Sequence, residues 1–207
     1  MKKIAFAALI AAFFATAASA TVLTGKLNVD NSFAAYYTTN NAIQGTLIAS
    51  GNDWTHTYLL SQALTTGTTG YLHIKAVNSG GPGGFLGAFT LSDAGFKFAN
   101  NTQTLLTGDS ALGYNTTGWS NAWSTPVIEG VNGVGPWGTM AAYGSSNPDW
   151  VWKSQTIGRD DFSTVYFSAK LISTGIVVDN NLPEPGSLAL IGLGLAGLAG
   201  LRKRRAA

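Results

Sequence analysis

Side chains able to do acid–base, nucleophilic or metal chemistry are few in this chain, and widely spaced. Cysteine is absent, which removes a disulfide framework, a thiolate metal site and a cysteine nucleophile. The only histidines are His56 and His73. His56 follows Trp54-Thr55 and could line a polar groove, but no second histidine stands at metal-ligand spacing, so no zinc site is expected. His73 lies between Leu72 and Ile74, and strand alternation places it on the face opposite those neighbours, satisfied locally or facing solvent. Asp160-Asp161 is the one adjacent acidic pair. It could hold Ca²⁺ with backbone carbonyls, but without an Asp-x-Asp-x-Asp run a solvated turn is favoured. Asp30, Asp53 and Asp93 fall at strand ends, where aspartate caps turns. Glycoside hydrolysis needs two carboxyl groups flanking one bond, and the spacing singles out no such pair. No Gly-x-Ser-x-Gly elbow occurs, and the glycines at 80, 81, 83 and 84 lack the Lys-Ser/Thr ending of a phosphate loop. The expectation is a non-catalytic protein with no metal and no cofactor.

Tryptophan carries the better hint. Trp119, Trp123, Trp137, Trp150 and Trp152 gather in a stretch rich in Gly and Asn. An exposed indole stacks on the apolar face of a sugar while neighbouring amides and carboxylates take its hydroxyls, and buried indoles fill sandwich cores equally well. Trp150 and Trp152, two residues apart, are expected on one strand face. Trp119, Trp123 and Trp137, in Gly/Asn/Ser contexts, are the candidates for exposure and glycan contact.

The elements that must position these groups read as β throughout. Val22 to Asp30 alternates apolar and polar residues, and short strands follow at 33–38, 45–49, 55–60, 71–77, 85–91 and 96–99. Further strands are expected at 127–129, 150–152 and 164–172, with long loops between 100 and 160. Gly, Asn and Ser punctuate the gaps, and no helical period persists for three turns. Short strands at this spacing predict an all-β fold, a single β-sandwich over residues 21–178. A body of that size can form a core without covalent staples. Between residues 21 and 182 stand six basic and nine acidic side chains, a net charge near −3. That charge gives nucleic acid no electrostatic footing. Tyr71 to Asn78 followed by Ser79-Gly80-Gly81-Pro82-Gly83-Gly84-Phe85, with Val29 to Tyr36 early and Val165 to Leu171 late, resembles galactose-binding-like β-sandwich domains. The resemblance implies a jelly roll whose early segment is entered through an Asp-Asn turn and whose late strand completes the sheet.

The two ends read as addresses. Met1-Lys2-Lys3 precedes an apolar run from Ile4 to Ala15, and Ala18-Ser19-Ala20 fits the small-residue cleavage rule. Residues 1–20 are therefore expected to be a signal peptide, removed by signal peptidase to leave Thr21. After a spacer at 179–182 come Pro183-Glu184-Pro185, fifteen small or apolar residues from Ser187 to Leu201, and Arg202-Lys203-Arg204-Arg205. As a helix this apolar segment would reach about 22 Å, short of a hydrocarbon core of roughly 30 Å. Snorkelling cations and local thinning cover part of the gap. The four cations should stay on the cytoplasmic side and leave the body outside. Residues 183–205 resemble the PEP-CTERM tail of Gram-negative bacteria, the substrate signal of exosortases. The resemblance implies processing by exosortase near Pro183-Glu184-Pro185, export across the inner membrane, and transient anchoring through the hydrophobic helix. It also implies a final place at the cell surface or in the extracellular matrix, among exopolysaccharide.

Overall fold

In the computed structural model, residues 20–119 and 122–175 are described. The signal segment through Ser19, with Ala18, and the whole sorting tail at 183–205 lie outside them. Twelve strands and one 3₁₀ turn, Ala141–Tyr143, make up the described fold. The first sheet runs β10 (Val127–Val131), β11 (Asp149–Trp152), β6 (Gly84–Leu91), β1 (Val22–Asp30) and β4 (Tyr58–Ala63). Beside β11, a short β8 (Thr104–Leu106) pairs with the other end of β6. The second sheet runs β3 (Thr46–Gly51), β2 (Ser32–Thr38), β5 (Gly70–Ser79), β12 (Phe162–Ser173) and β7 (Phe96–Phe98). Here β9 (Leu112–Asn115) and β7 share one flank of β12. All pairings are antiparallel.

Alternation along each strand builds the core between the sheets. Leu23, Leu27 and Val29 of β1 and Phe85 and Phe89 of β6 meet Leu72, Ile74 and Ala76 of β5 and Val165, Phe167 and Leu171 of β12. Phe85 touches Phe167 at a ring separation of 4.9 Å, which ties one sheet to the other. The chain passes between sheets directly from β1 to β2, through a cis Asp30–Asn31 peptide. Asn31 holds this corner: its side-chain oxygen accepts from Ser79 N at 2.6 Å, and its N–H donates to Val77 O at 2.9 Å.

The sandwich and most strands match the sequence expectation, with three corrections. β4 starts at Tyr58 rather than 55, because Asp53 turns the chain first: its Oδ1 accepts from Thr55 N at 2.9 Å and from Thr55 Oγ1 at 2.6 Å. β8 and β9, of three and four residues, are too short to show a period. Trp150 and Trp152 do not share a surface. Trp150 stacks on Trp137 in a separate cluster with Leu86, Met140 and Tyr143, whereas Trp152 belongs to the main core. Trp152 is the last residue of β11, and its indole turns inward to donate to Asp161 Oδ2 at 2.9 Å.

That separate cluster explains how the outer face of the first sheet is covered. Asn28 and Asp30 point outward by alternation, yet both are buried. Loop 132–148 folds over them, closed by Asn132, whose amide exchanges hydrogen bonds with the backbone of Met140 at 2.8 and 3.2 Å. Asn28 then works as a clasp. Its Oδ1 accepts from Thr57 Oγ1 and Tyr143 Oη, and its Nδ2 donates to Trp54 O.

Candidate functional site

The outer face of the second sheet gathers the aromatic residues that alternation leaves outside the core. Tyr36 of β2 sits opposite His73 of β5, and Ser168 of β12 sits on the other side of His73. Two residues along, on the same face, Lys170 pairs with Tyr71. Two loops close over this floor. At Asn40 the chain turns, with Ala42 N donating to Asn40 Oδ1 at 2.9 Å, and Asn41 is brought back over the sheet. There Asn41 Oδ1 accepts from His73 Nε2 at 2.9 Å and from Ser168 Oγ at 2.8 Å. The second loop follows β9. Asn115 Oδ1 accepts from the N–H groups of Thr117 and Gly118, each at 3.0 Å, and Gly118 adopts φ 124°. This turn lays Trp119 flat on His73, with ring centres 4.4 Å apart and planes within 4°. Tyr36 and Tyr166 meet the edges of the same indole.

His73 is thus wholly buried rather than facing solvent. Burial pushes its imidazole down to about 4, against a weaker opposing pull from the backbone of Gln44 and Ile43. Nδ1 has no hydrogen-bond partner among the described residues. A neutral, shielded ring of this kind is a poor base at ordinary pH and an effective platform for an indole.

Trp123 is placed by its neighbours on β9. Tyr114 and Ser124 exchange backbone hydrogen bonds at 2.8 and 2.9 Å, which docks residues 123–125 beside the strand. Gly113 leaves the room: a Cβ there would stand 2.8 Å from Trp123 Cβ. Gly113→Ala is therefore expected to displace the indole and to cost about 1–3 kcal/mol. The check is a shift in tryptophan emission together with the denaturation midpoint; an unchanged midpoint and spectrum would show that the contact does not matter.

Between the two loops lies an open cleft of about 400 Å³. Tyr71 and the half-buried Trp123 supply ring surface, and Asn41, Ser124, Ser168 and Lys170 supply polar groups. Lys170 is exposed, and no carboxylate lines the cleft among the described residues. A larger cleft of about 490 Å³ crosses the first sheet between Lys26, Leu59 and Thr90. Its one aromatic lining residue, Tyr143, is buried and offers no ring face. The geometry for stacking a planar or ring-shaped ligand is in the second-sheet cleft.

The tryptophans expected to be exposed separate accordingly. Trp123 lines the cleft and Trp119 roofs His73 beside it, both half-buried. Trp137 departs from expectation. It is 4% exposed, stacks on Trp150 at 4.5 Å, and donates from Nε1 to Asp30 Oδ2 at 2.9 Å. Gly and Asn around Trp137 build the covering loop rather than a surface tip. Burial raises the Asp30 pKa, opposed by the Trp137 hydrogen bond.

Asp160-Asp161 forms a latch. Asp160 Oδ1 accepts from Gly81 N at 3.1 Å, and Asp161 pairs with Lys153 at 2.8 Å while accepting from Trp152 and Ser163. Burial would raise the Asp161 carboxyl, but Lys153, Ser163 and Trp152 together hold it below the ordinary range. His56 is exposed and meets Tyr58 edge-on at 4.7 Å. Among the described residues no cluster of three His, Asp or Glu side chains could hold a metal ion.

Asn41, Tyr71, Ser168 and Lys170 were not legible as cleft residues from sequence. Alternation puts the last three outward, but only the β5–β12 register brings them together. At the processing end, Ala20 is exposed, and Thr21 is buried, donating from Oγ1 to Asp93 Oδ1 at 2.6 Å. No helix among the described residues is long and apolar enough to cross a membrane, and Ser187–Leu201 lies outside them.

Residues 181–205 match the family model of the PEP-CTERM protein-sorting motif. The chain carries this exosortase signal on an all-β sandwich, which makes it an exported protein with a cell-surface or extracellular destination in Gram-negative bacteria. No curated protein and no solved structure matches the chain.

Proposed function

We propose that this protein is a non-catalytic component of the extracellular matrix, held among exopolysaccharide by its sandwich domain. The observation that carries the reading is the sorting motif at 181–205 joined to a sandwich with an aromatic, carboxylate-free cleft. Signal peptidase would cut after Ala20. The first strand begins at Val22, so the cut falls at the margin of the fold and leaves Thr21 seated on Asp93. The apolar segment from Ser187 to Leu201, with Arg202, Lys203, Arg204 and Arg205 behind it, would hold the chain briefly in the inner membrane. Exosortase would then act near Pro183-Glu184-Pro185, and the body would pass to the matrix.

The non-catalytic reading rests on how the acids are used. Asp161 and Asp160 latch loops, and Asp93 caps the turn to Gly95, accepting from its N–H at 2.8 Å. Asp109 accepts from Asn100 and Ala111. Glu129 accepts from the backbone of Thr156 and Ile157. The aromatic cleft has no carboxylate among its described lining residues, and Asp109 and Asp149 line a separate cleft of about 340 Å³ with no aromatic ring to seat a sugar.

Fractionation with C-terminal mapping, in cells with and without exosortase, tests the assignment. The expected result is a trimmed C-terminus only where exosortase is present, in protein that co-fractionates with exopolysaccharide and is released when the polymer is digested. An intact tail in exosortase-positive cells, or a protein indifferent to the polymer, overturns it. Release of sugar from the polymer by the purified protein would overturn the non-catalytic part.

A further inference from the structure

We infer that the cleft on the second sheet binds an acidic sugar, a uronate unit of a polysaccharide, stacked on Trp123 and paired through its carboxylate with Lys170. The inference rests on the matrix reading above and names the chemistry of the polymer.

Three observations converge on it. The cleft offers ring surface from Trp123 and Tyr71, and a pyranose presents an apolar C–H face of matching size. Asn41 is held in a fixed orientation, since its Oδ1 already accepts from His73 and Ser168. A pre-set amide at the rim loses little entropy when a hydroxyl docks on it. Charge then selects among sugars. The body between 21 and 182 is net negative, yet this cleft holds the cation of Lys170 and no carboxylate among its described lining residues. Register places Lys170 directly opposite Tyr71, so the ammonium stands beside the stacking surface. A neutral sugar would leave that cation unused. A carboxylated sugar puts its ring on the aromatics and its charge on the lysine.

The site is open, so one sugar binds weakly, and a polymer gains on it only by offering many equivalent units to a single cleft. Electrostatics give the pairing a salt dependence, because an exposed ion pair weakens as added salt shortens the Debye length from about 8 Å at 0.15 M to about 3 Å at 1 M.

The test uses the full-length protein in detergent, titrated with polygalacturonate and with the same polymer after reduction of its carboxyl groups. Tryptophan emission and calorimetry read the binding. Polygalacturonate is expected to bind more tightly, with the difference lost in high salt. Trp123→Ala should weaken binding about tenfold. Lys170→Gln should weaken it about two- to fivefold and abolish the preference over the reduced polymer, while Lys170→Arg keeps it. Thermal melts report whether each variant folds. Lys170 is exposed, so its variants decide the matter even if Trp123→Ala does not fold. Equal binding of the two polymers, or an unchanged preference in Lys170→Gln, overturns the inference. A protein that co-fractionates with native exopolysaccharide but shows no uronate preference overturns only the acidic-sugar assignment. Loss of both behaviours overturns the matrix reading as well.

Discussion

Trp152→Ala is expected to destabilise the sandwich by about 3–5 kcal/mol, the largest effect of any single truncation named here. The indole is fully buried, packs 6.0 Å from the ring of Phe167, and reaches from the end of β11 to the loop before β12. Its removal leaves a cavity between the sheets. It also takes one donor from Asp161 Oδ2, loosening the latch that Lys153 and Ser163 share. Trp152→Phe should recover part of the loss, because it refills volume without restoring the N–H. Urea denaturation followed by circular dichroism measures both. A Trp152→Ala cost below about 1 kcal/mol would mean that the indole is not part of the core as described.

Acid is the second lever, through His73. In the fold this ring stays neutral to about pH 4, while in the unfolded chain it takes a proton below about 6.5. The unfolded state therefore binds more protons in that window. Stability falls as pH drops from about 6.5 to about 4 and is flat below, with a loss of at most about 3 kcal/mol from this residue. Burial raises the Asp30, Glu129 and Asp149 carboxyls and works in the opposite sense over the acidic end of the range, so the wild-type curve alone does not isolate the histidine. Comparison with His73→Gln does: its stability should lose less between pH 6.5 and 4. Trp119→Ala supplies the local check. Without the stacked indole, water reaches the imidazole, and its titration, followed by proton NMR, should move up toward 6.5. An unmoved titration would show that Trp119 is not what shields His73.

Alternation was enough to read β1, β5, β6 and β12 as strands, because each runs eight residues or more with one apolar face. It also put His73 on the outer face. What alternation does not encode is what lies on top of an outer face. Asn28 and Asp30 read as outward polar residues, yet loop 132–148 buries them, and nothing local in Gly135-Pro136-Trp137-Gly138 distinguishes a covering loop from an exposed tip. The cleft was half legible for the same reason. Trp123 drew attention by its residue type, but Tyr71 and Lys170 are ninety-nine positions apart and meet only through pairing across β5 and β12. The galactose-binding-like likeness carried as far as two packed sheets.

The twelve-residue β12 is the last strand described, and β5, β7 and β9 all pair with it. Without it, β7 and β9 have no partner in the second sheet. A ribosome must therefore deliver almost the whole body before the sandwich can shut, since contacts so distant along the chain form late. For an exported protein, such tardiness is useful. The strand that locks the second sheet is the last of the described strands to emerge, with only the spacer and the sorting motif behind it.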